Sequence, residues 1–223
     1  DYVEFVAEYT SYTLPDLENL VRAAELHDLS SMIKVDQSGQ DYWAQRAIGV
    51  GFQSVLFTDV RSAADMEECV RLVRPETPEH GGTFGIKATR TTYMRDMYSA
   101  EYIDALNDVV IAVMIEKRQA VEQLHEILSV PGLDMIQVGP TDYAMSVGKL
   151  GQPRGDEWYA VERQVVETAL DMGVVPRAEI RNARDAQRHI EMGVRHFCMG
   201  TDTGILYDYW RSEGEGLRAL VPD

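Results

Sequence analysis

Cysteine is almost absent from this chain, with two thiols, Cys69 and Cys198, in 223 residues. They form no paired motif, which excludes a disulfide scaffold and a thiolate metal cage and points to buried thiols in a reducing compartment. Positive charge is also short: 21 Lys and Arg stand against 37 Asp and Glu, a net charge of −16. A surface this acidic repels phosphate backbones and anionic lipid, so neither nucleic acid nor a membrane is an expected partner. No apolar run approaches the roughly 18 residues of a membrane span, no secretory signal pattern opens the chain, and the expected location is the cytoplasm. No Gly-x-Gly-x-x-Gly follows any strand-like segment, which removes the usual mark of a dinucleotide site. What is present, 45% hydrophobic and 26% charged residues, is the composition of an ordinary folded domain.

Short apolar runs alternate with stretches of helical period. The strand-like runs cover residues 2–7, 32–35, 52–57, 109–115, 135–138, 174–180 and 196–199. Helical spacing covers 17–26, 43–48, 63–72, 120–128, 158–172, 183–192 and 205–220, and Gly51, Gly173 and Gly193 stand where a helix gives way to a strand. Strands alternating with helices imply right-handed βαβ units and a parallel sheet. The chain begins at Asp1 with a strand-like run almost at once. The expectation is therefore a single (β/α)8 TIM barrel domain over residues 1–223, with the first strand and helix missing, because eight such units take about 250 residues. A doubly wound open sheet is the competing architecture. Residues 75–99, rich in Gly, Thr and Met, break the rhythm and suggest a functional loop.

Barrel enzymes carry their reactive groups at the C-terminal ends of strands. Those ends hold Glu8-Tyr9, Lys34-Val35-Asp36, Glu116-Lys117-Arg118, Gly139-Pro140-Thr141-Asp142, Arg177-Ala178-Glu179 and Gly200-Thr201-Asp202. Glu116 and Asp142 end consecutive strands, which lie about 4.8 Å apart. Two carboxylates at that spacing need a proton or a cation between them, and two hard oxygen ligands suit Mg²⁺ or Mn²⁺. The alternative is that Glu116 pairs with Lys117 or Arg118 while Asp142 caps a short helix. Arg177 and Glu179 share one strand face and suit either a substrate carboxylate or an internal salt bridge. Lys87, Arg90 and Arg95 gather positive charge in the loop, as an anionic substrate or a solvated face would require.

The stretches Val113-Met114-Ile115-Glu116 and Gly139-Pro140-Thr141-Asp142-Tyr143-Ala144-Met145-Ser146 resemble the HpcH/HpaI aldolase family, which includes citrate lyase β-like proteins. So do Gly148, Gly151-Gln152-Pro153 and Met199-Gly200-Thr201-Asp202-Thr203-Gly204, in the same order along the chain. The resemblance implies a hexameric barrel (or trimer of dimers) performing divalent-metal-dependent aldol chemistry on a small anionic 2-oxo acid through a pyruvate-type enolate. It places the metal ligands on Glu116 and Asp142, with Mg²⁺ or Mn²⁺ expected and Co²⁺ possible. It places the grip on the substrate carboxylate on the backbone of Thr141 and Asp142.

The departures are Lys34 where the family carries Arg, Val6-Ala7-Glu8-Tyr9 where it carries Asp-Gly-Glu-His, and Met114 where it carries Gln. Lysine keeps the charge of arginine but loses its bidentate fork. The usual imidazole base is replaced, with Tyr9 the positional heir and Glu8, Asp36 or His80 as further candidates. Lys34 is expected to pair with the enolate oxygen, and a Schiff base there is the minor alternative. The expected function is a class II aldolase acting on a 4-hydroxy-2-oxo acid. An oxaloacetate-type decarboxylase or a CoA-ester lyase would use the same metal site, and a non-catalytic ligand-binding barrel is the alternative of another class.

Overall fold

The computed structural model describes residues 1–87 and 99–221. Its fold is that of a (β/α)8 barrel, of which the described residues supply seven parallel strands and ten helices. The strands are β1 (Tyr2–Val6), β2 (Ser30–Val35), β3 (Ser54–Phe57), β4 (Val110–Ile115), β5 (Met135–Val138), β6 (Val175–Ile180) and β7 (His196–Met199). The helices are α1 (Leu14–Glu25), α2 (Gln40–Val50), α3 (Ala63–Val73), α4 (Ala100–Asn107), α5 (Arg118–Glu122), α6 (Leu124–Leu128), α7 (Pro140–Ser146), α8 (Asp156–Asp171), α9 (Ala186–Glu191) and α10 (Asp202–Leu220). None of them is long and apolar enough to cross a membrane.

Two compact units divide the chain, Asp1–Pro176 and Arg177–Asp223. In the first, β1 to β5 pair in chain order, and Phe5 lies opposite Ile33, Ile33 opposite Val55, Val55 opposite Ile111 and Val113 opposite Ile136. In the second, the end of β6 pairs with β7, Ala178 opposite Phe197. All seven strand-like runs of the sequence form strands. Alternation fixes which side chains meet the helices. Ile33, Val35, Val55, Phe57, Ile111, Val113, Ile115 and Ile136 pack with Leu17 and Val21 of α1, Ala47 and Ile48 of α2, and Met66 and Cys69 of α3. Burial pushes the Cys69 thiol up to about 12, so it is an inert core group.

Helix ends follow local chemistry. Thr13 and Asp16 at α1, and Ser62 and Asp65 at α3, form reciprocal capping boxes. Gly51 closes α2 with φ 117°, a left-handed turn that lets the Phe52 N–H return to the Ala47 carbonyl at 3.0 Å. The helical stretch at 120–128 is two short helices, because Gln123 leaves helical geometry (φ −109°, ψ 27°). In the sequence, α4 is too short to show a period: its eight residues bury Tyr102 and Leu106.

Arg74, the residue that ends α3, braces the edge of the sheet where β4 and β5 begin. Its side chain, 12% exposed, donates through the guanidinium to the carbonyls of Leu106 (3.3 Å), Asn107 (3.0 Å), Val109 (2.8 Å) and Gly132 (3.2 Å). Those oxygens include the last ones of α4, where the helical ladder runs out. We expect Arg74→Met to remove these bonds and the approach to Asp134 at 3.7 Å, at about 3 kcal/mol. Thermal unfolding should then show a midpoint lowered by roughly 6–12 °C.

Candidate active site at the strand ends

The other face of the first unit's strands carries the second half of the alternation. Met32, Leu56, Ala112 and Met114 form a separate apolar cluster flanked by Tyr2 and Met135. One step further along the same strands come Lys34, Thr58 and Glu116, and all are parallel, so these residues reach a common edge. The result is polar groups standing on a dry floor.

Glu116 is 3% exposed. Its recorded partner is the Asp59 N–H, which donates to Oε1 at 2.9 Å; no ion pair to it is recorded among the described residues. Burial raises its pKa. The Asp59 N–H and the charges of Lys34 and Lys117 work against that rise, and Asp142 adds to it. The side chain lies against Gly139, which follows β5 as Glu116 follows β4. A Cβ at Gly139 would run into Glu116 Oε2, come within 2.6 Å of Glu116 Cβ and 2.9 Å of the Met114 methyl. Gly139 is therefore a requirement of packing, since its φ of −100° suits any residue.

Asp142 belongs to the first turn of α7, directly after β5. It pairs with Lys117, whose ammonium sits 2.9 Å from Asp142 Oδ1 and 2.7 Å from Asp59 Oδ1. Burial pulls the Lys117 pKa down, but its bonds to Asp59 and Asp142 outweigh that and raise it. Asp59 adopts a left-handed backbone, φ 62°, which Asp tolerates better than most side chains. That turn lets its N–H meet Glu116 and its carboxylate meet Lys117, while Arg61 approaches the same carboxylate oxygen at 3.6 Å. Sequence reasoning misses Asp59. The one signal it leaves is its place just past the strand Ser54–Phe57.

Lys34 is held by Glu8, Nζ to Oε2 at 2.7 Å, and lies 5.7 Å from the centre of the Tyr9 ring. Burial lowers its pKa, but the Glu8 bond and charge, then Tyr9 and Glu116, carry it above the ordinary lysine value. The amine stays protonated at neutral pH, which disfavours the Schiff base. Tyr9 is 75% exposed. Thr141 accompanies Asp142 at the start of α7.

Other residues singled out in the sequence lie apart from this cluster. His80 is engaged on both ring nitrogens, Nδ1 with Thr77 Oγ1 at 2.7 Å and Nε2 with Asn107 Nδ2 at 2.8 Å, so it ties the loop to α4. Lys87 binds Gln45 and the Thr83 carbonyl, whereas Arg90 and Arg95 lie outside the described residues. Arg118 reaches Glu122 at 3.7 Å. Arg177 belongs to the second unit, buried on β6 opposite His196, with Glu179 exposed two residues on.

Among the described residues no group of three or more His, Cys, Asp and Glu side chains is arranged to hold a metal. An ion here would rest on the carboxylates of Glu116 and Asp142, with water and substrate completing its shell, as suits a cation that sheds water reluctantly.

Comparison with known proteins decides the family. The profile of the HpcH/HpaI aldolase/citrate lyase family matches residues 12–208. The chain belongs to that family. It is 29% identical over 163 residues to a 4-hydroxy-2-oxo-heptane-1,7-dioate aldolase of Escherichia coli, a match covering 73% of this chain and 61% of the relative. The HpcH/HpaI aldolase structure from Desulfitobacterium hafniense DCB-2 superposes with a TM-score of 0.84 at 25% identity, covering 100% of this chain and 85% of that one. A citrate lyase beta subunit from M. tuberculosis, complexed with oxaloacetate and magnesium, shares the fold at a TM-score of 0.60 and 13% identity, covering 92% and 83%.

A buried carboxylate with one hydrogen bond costs this family member stability when no cation is near. Glu116→Gln keeps an acceptor for the Asp59 N–H and removes the charge. It should raise the metal-free thermal midpoint by roughly 2–4 °C, for about 1 kcal/mol. Gly139→Ala should lower it, because the added methyl displaces Glu116. The same melting curves test both signs.

Proposed function

We propose that this chain is the barrel of a carbon–carbon lyase that uses a divalent cation at Glu116 and Asp142 to cleave or form the C–C bond of a 4-hydroxy-2-oxo acid. The observation that carries the reading is Glu116, a buried carboxylate with a single recorded hydrogen bond, beside a second carboxylate at the next strand end. An all-oxygen pair suits a hard ion such as Mg²⁺ or Mn²⁺. The name of the Escherichia coli relative and the magnesium in the M. tuberculosis neighbour support the same chemistry.

Such an ion, when bound, acts as a Lewis acid on the 2-oxo group. The chain's own residues do the rest. Lys34, kept charged by Glu8, steadies the negative charge that grows on the 2-oxo oxygen. The backbone N–H groups of Thr141 and Asp142, in the first turn of α7, hold the substrate carboxylate. Tyr9, its ring beside the Lys34 ammonium, moves the hydroxyl proton.

A second reading is decarboxylation of a 2-oxo diacid, which needs the cation and less of a base. It is favoured by His80, whose ring nitrogens are both taken by Thr77 and Asn107. Pyruvate release from 4-hydroxy-2-oxo acids and from oxaloacetate, with Mg²⁺, Mn²⁺ or EDTA, tests both. We expect cleavage of a hydroxy-oxo acid, abolished by EDTA and reduced at least on the order of 100-fold in Glu116→Ala. Turnover of oxaloacetate alone would select decarboxylation. Metal binding without turnover of any of these would select a binding role.

We also propose a homo-oligomer. The 19-residue α10 buries none of its residues and exposes Ile205, Leu206, Tyr207, Tyr209, Trp210 and Leu217, more apolar surface than a solvated helix carries. Sedimentation velocity should give a mass several times the monomer's, reduced in Trp210→Glu.

A further inference from the structure

Lys117 places a permanent cation against one of the two carboxylates assigned above to the metal. Its ammonium is 2.7 Å from Asp59 and 2.9 Å from Asp142, and the side chain is 13% exposed. The two aspartates are not equivalent. Asp142 is 45% exposed and Lys117 is its recorded partner, whereas Asp59 is 26% exposed, is approached by Arg61 as well, and has its backbone N–H committed to Glu116. Asp142 is the side chain free to turn; Asp59 is fixed at both ends.

We propose that Lys117 is a built-in counter-ion of the candidate metal site: its ammonium holds Asp142 until a divalent cation takes that carboxylate, and Asp59 then keeps the ammonium out of the way. This inference rests on the metal reading of Glu116 and Asp142 and adds what sets the affinity of that site. Without Lys117, three carboxylates at adjoining strand ends, Asp59, Glu116 and Asp142, would lack the ion pair that joins two of them. With it, the site is poised without metal, and an incoming cation must displace an ammonium. Lys117 lowers the affinity, and Asp59 limits that loss by giving the ammonium a second anchor. Asp59 is a positioning residue: its side chain touches neither substrate nor ion and acts through Lys117.

The geometry allows this exchange without rebuilding the backbone. Glu116 and Lys117 are consecutive residues at the end of β4, and Lys117 has extended dihedrals (φ −120°, ψ 146°), so their side chains leave the strand on opposite sides. The Asp59 N–H bond to Glu116 is a main-chain contact and survives substitution of the Asp59 side chain. Asparagine tolerates the same left-handed conformation, so Asp59→Asn removes only the charge.

Mn²⁺ affinity, read by the electron paramagnetic resonance signal of the free ion, tests the proposal without turnover. We expect Lys117→Met to bind Mn²⁺ about two- to fivefold more tightly, the weight of one partly exposed ion pair. Lys117→Arg should keep the parental affinity, and Asp59→Asn should bind more weakly. A through-space charge effect alone would give Asp59→Asn the same loss in any background. If Asp59 acts through Lys117, that loss disappears once Lys117 is already Met, a non-additivity that a double-mutant cycle reads directly. Unchanged or weaker binding in Lys117→Met overturns the counter-ion, and an equal loss in both backgrounds overturns the role of Asp59. Absence of Mn²⁺ binding in both the parent and Lys117→Met, or binding that persists in Glu116→Gln, overturns the metal reading itself, so the two failures are distinguishable. Melting of the metal-free variants shows that each is folded.

Discussion

A carboxylate buried at the end of a parallel strand is the costly element on which the rest of this site depends. Glu116 has little contact with water, so most of what steadies its charge must be built into the chain. The structure supplies three things for it. Gly139 removes a side chain that would occupy its space, Asp59 bends into a left-handed turn to aim an N–H at it, and Lys34 and Lys117 contribute positive charge from either side. Together they accommodate an anionic group buried at the end of β4. The apolar cluster of Met32, Leu56, Ala112 and Met114 beneath them excludes water from the interior side and strengthens every charge interaction above it.

Much of this was legible in the sequence because the barrel's rules are local. A strand buried on one face by helices and on the other by the interior reads as a short, nearly continuous apolar run, and residues 110–115 and 135–138 are of that kind. The positions just past such runs are where side chains reach the mouth of the sheet, which is why Glu8, Lys34, Glu116 and Asp142 could be named. What could not be read is geometry that arises only from pairing. Asp59 is an ordinary aspartate in an ordinary strand–helix connection until φ 62° turns its N–H toward a carboxylate 57 residues later. That Lys117 and not Arg118 reaches Asp142 depends on where β4 releases the chain, a matter of one residue. The helix α4 stayed hidden because eight residues give too few turns for a period to stand out.

The departures from the family pattern also acquire a physical setting. Where a guanidinium would fork onto an anion, Lys34 offers a point charge, and Glu8 at 2.7 Å with the Tyr9 ring nearby confines it to one place. In a chain with 16 more acidic than basic side chains, the two lysines at this edge are each paired with carboxylates, Lys34 with Glu8 and Lys117 with Asp59 and Asp142.

At the opposite edge, Arg74 holds carbonyls on the far side of a long excursion of the chain, at residues 106, 107 and 109. His80 bonds to Asn107, and the Tyr102 hydroxyl donates to the Gly85 carbonyl at 2.9 Å. The segments before and after residues 88–98 are thus clasped to each other by side chains, so a substitution at Arg74, His80 or Tyr102 acts on both segments at once.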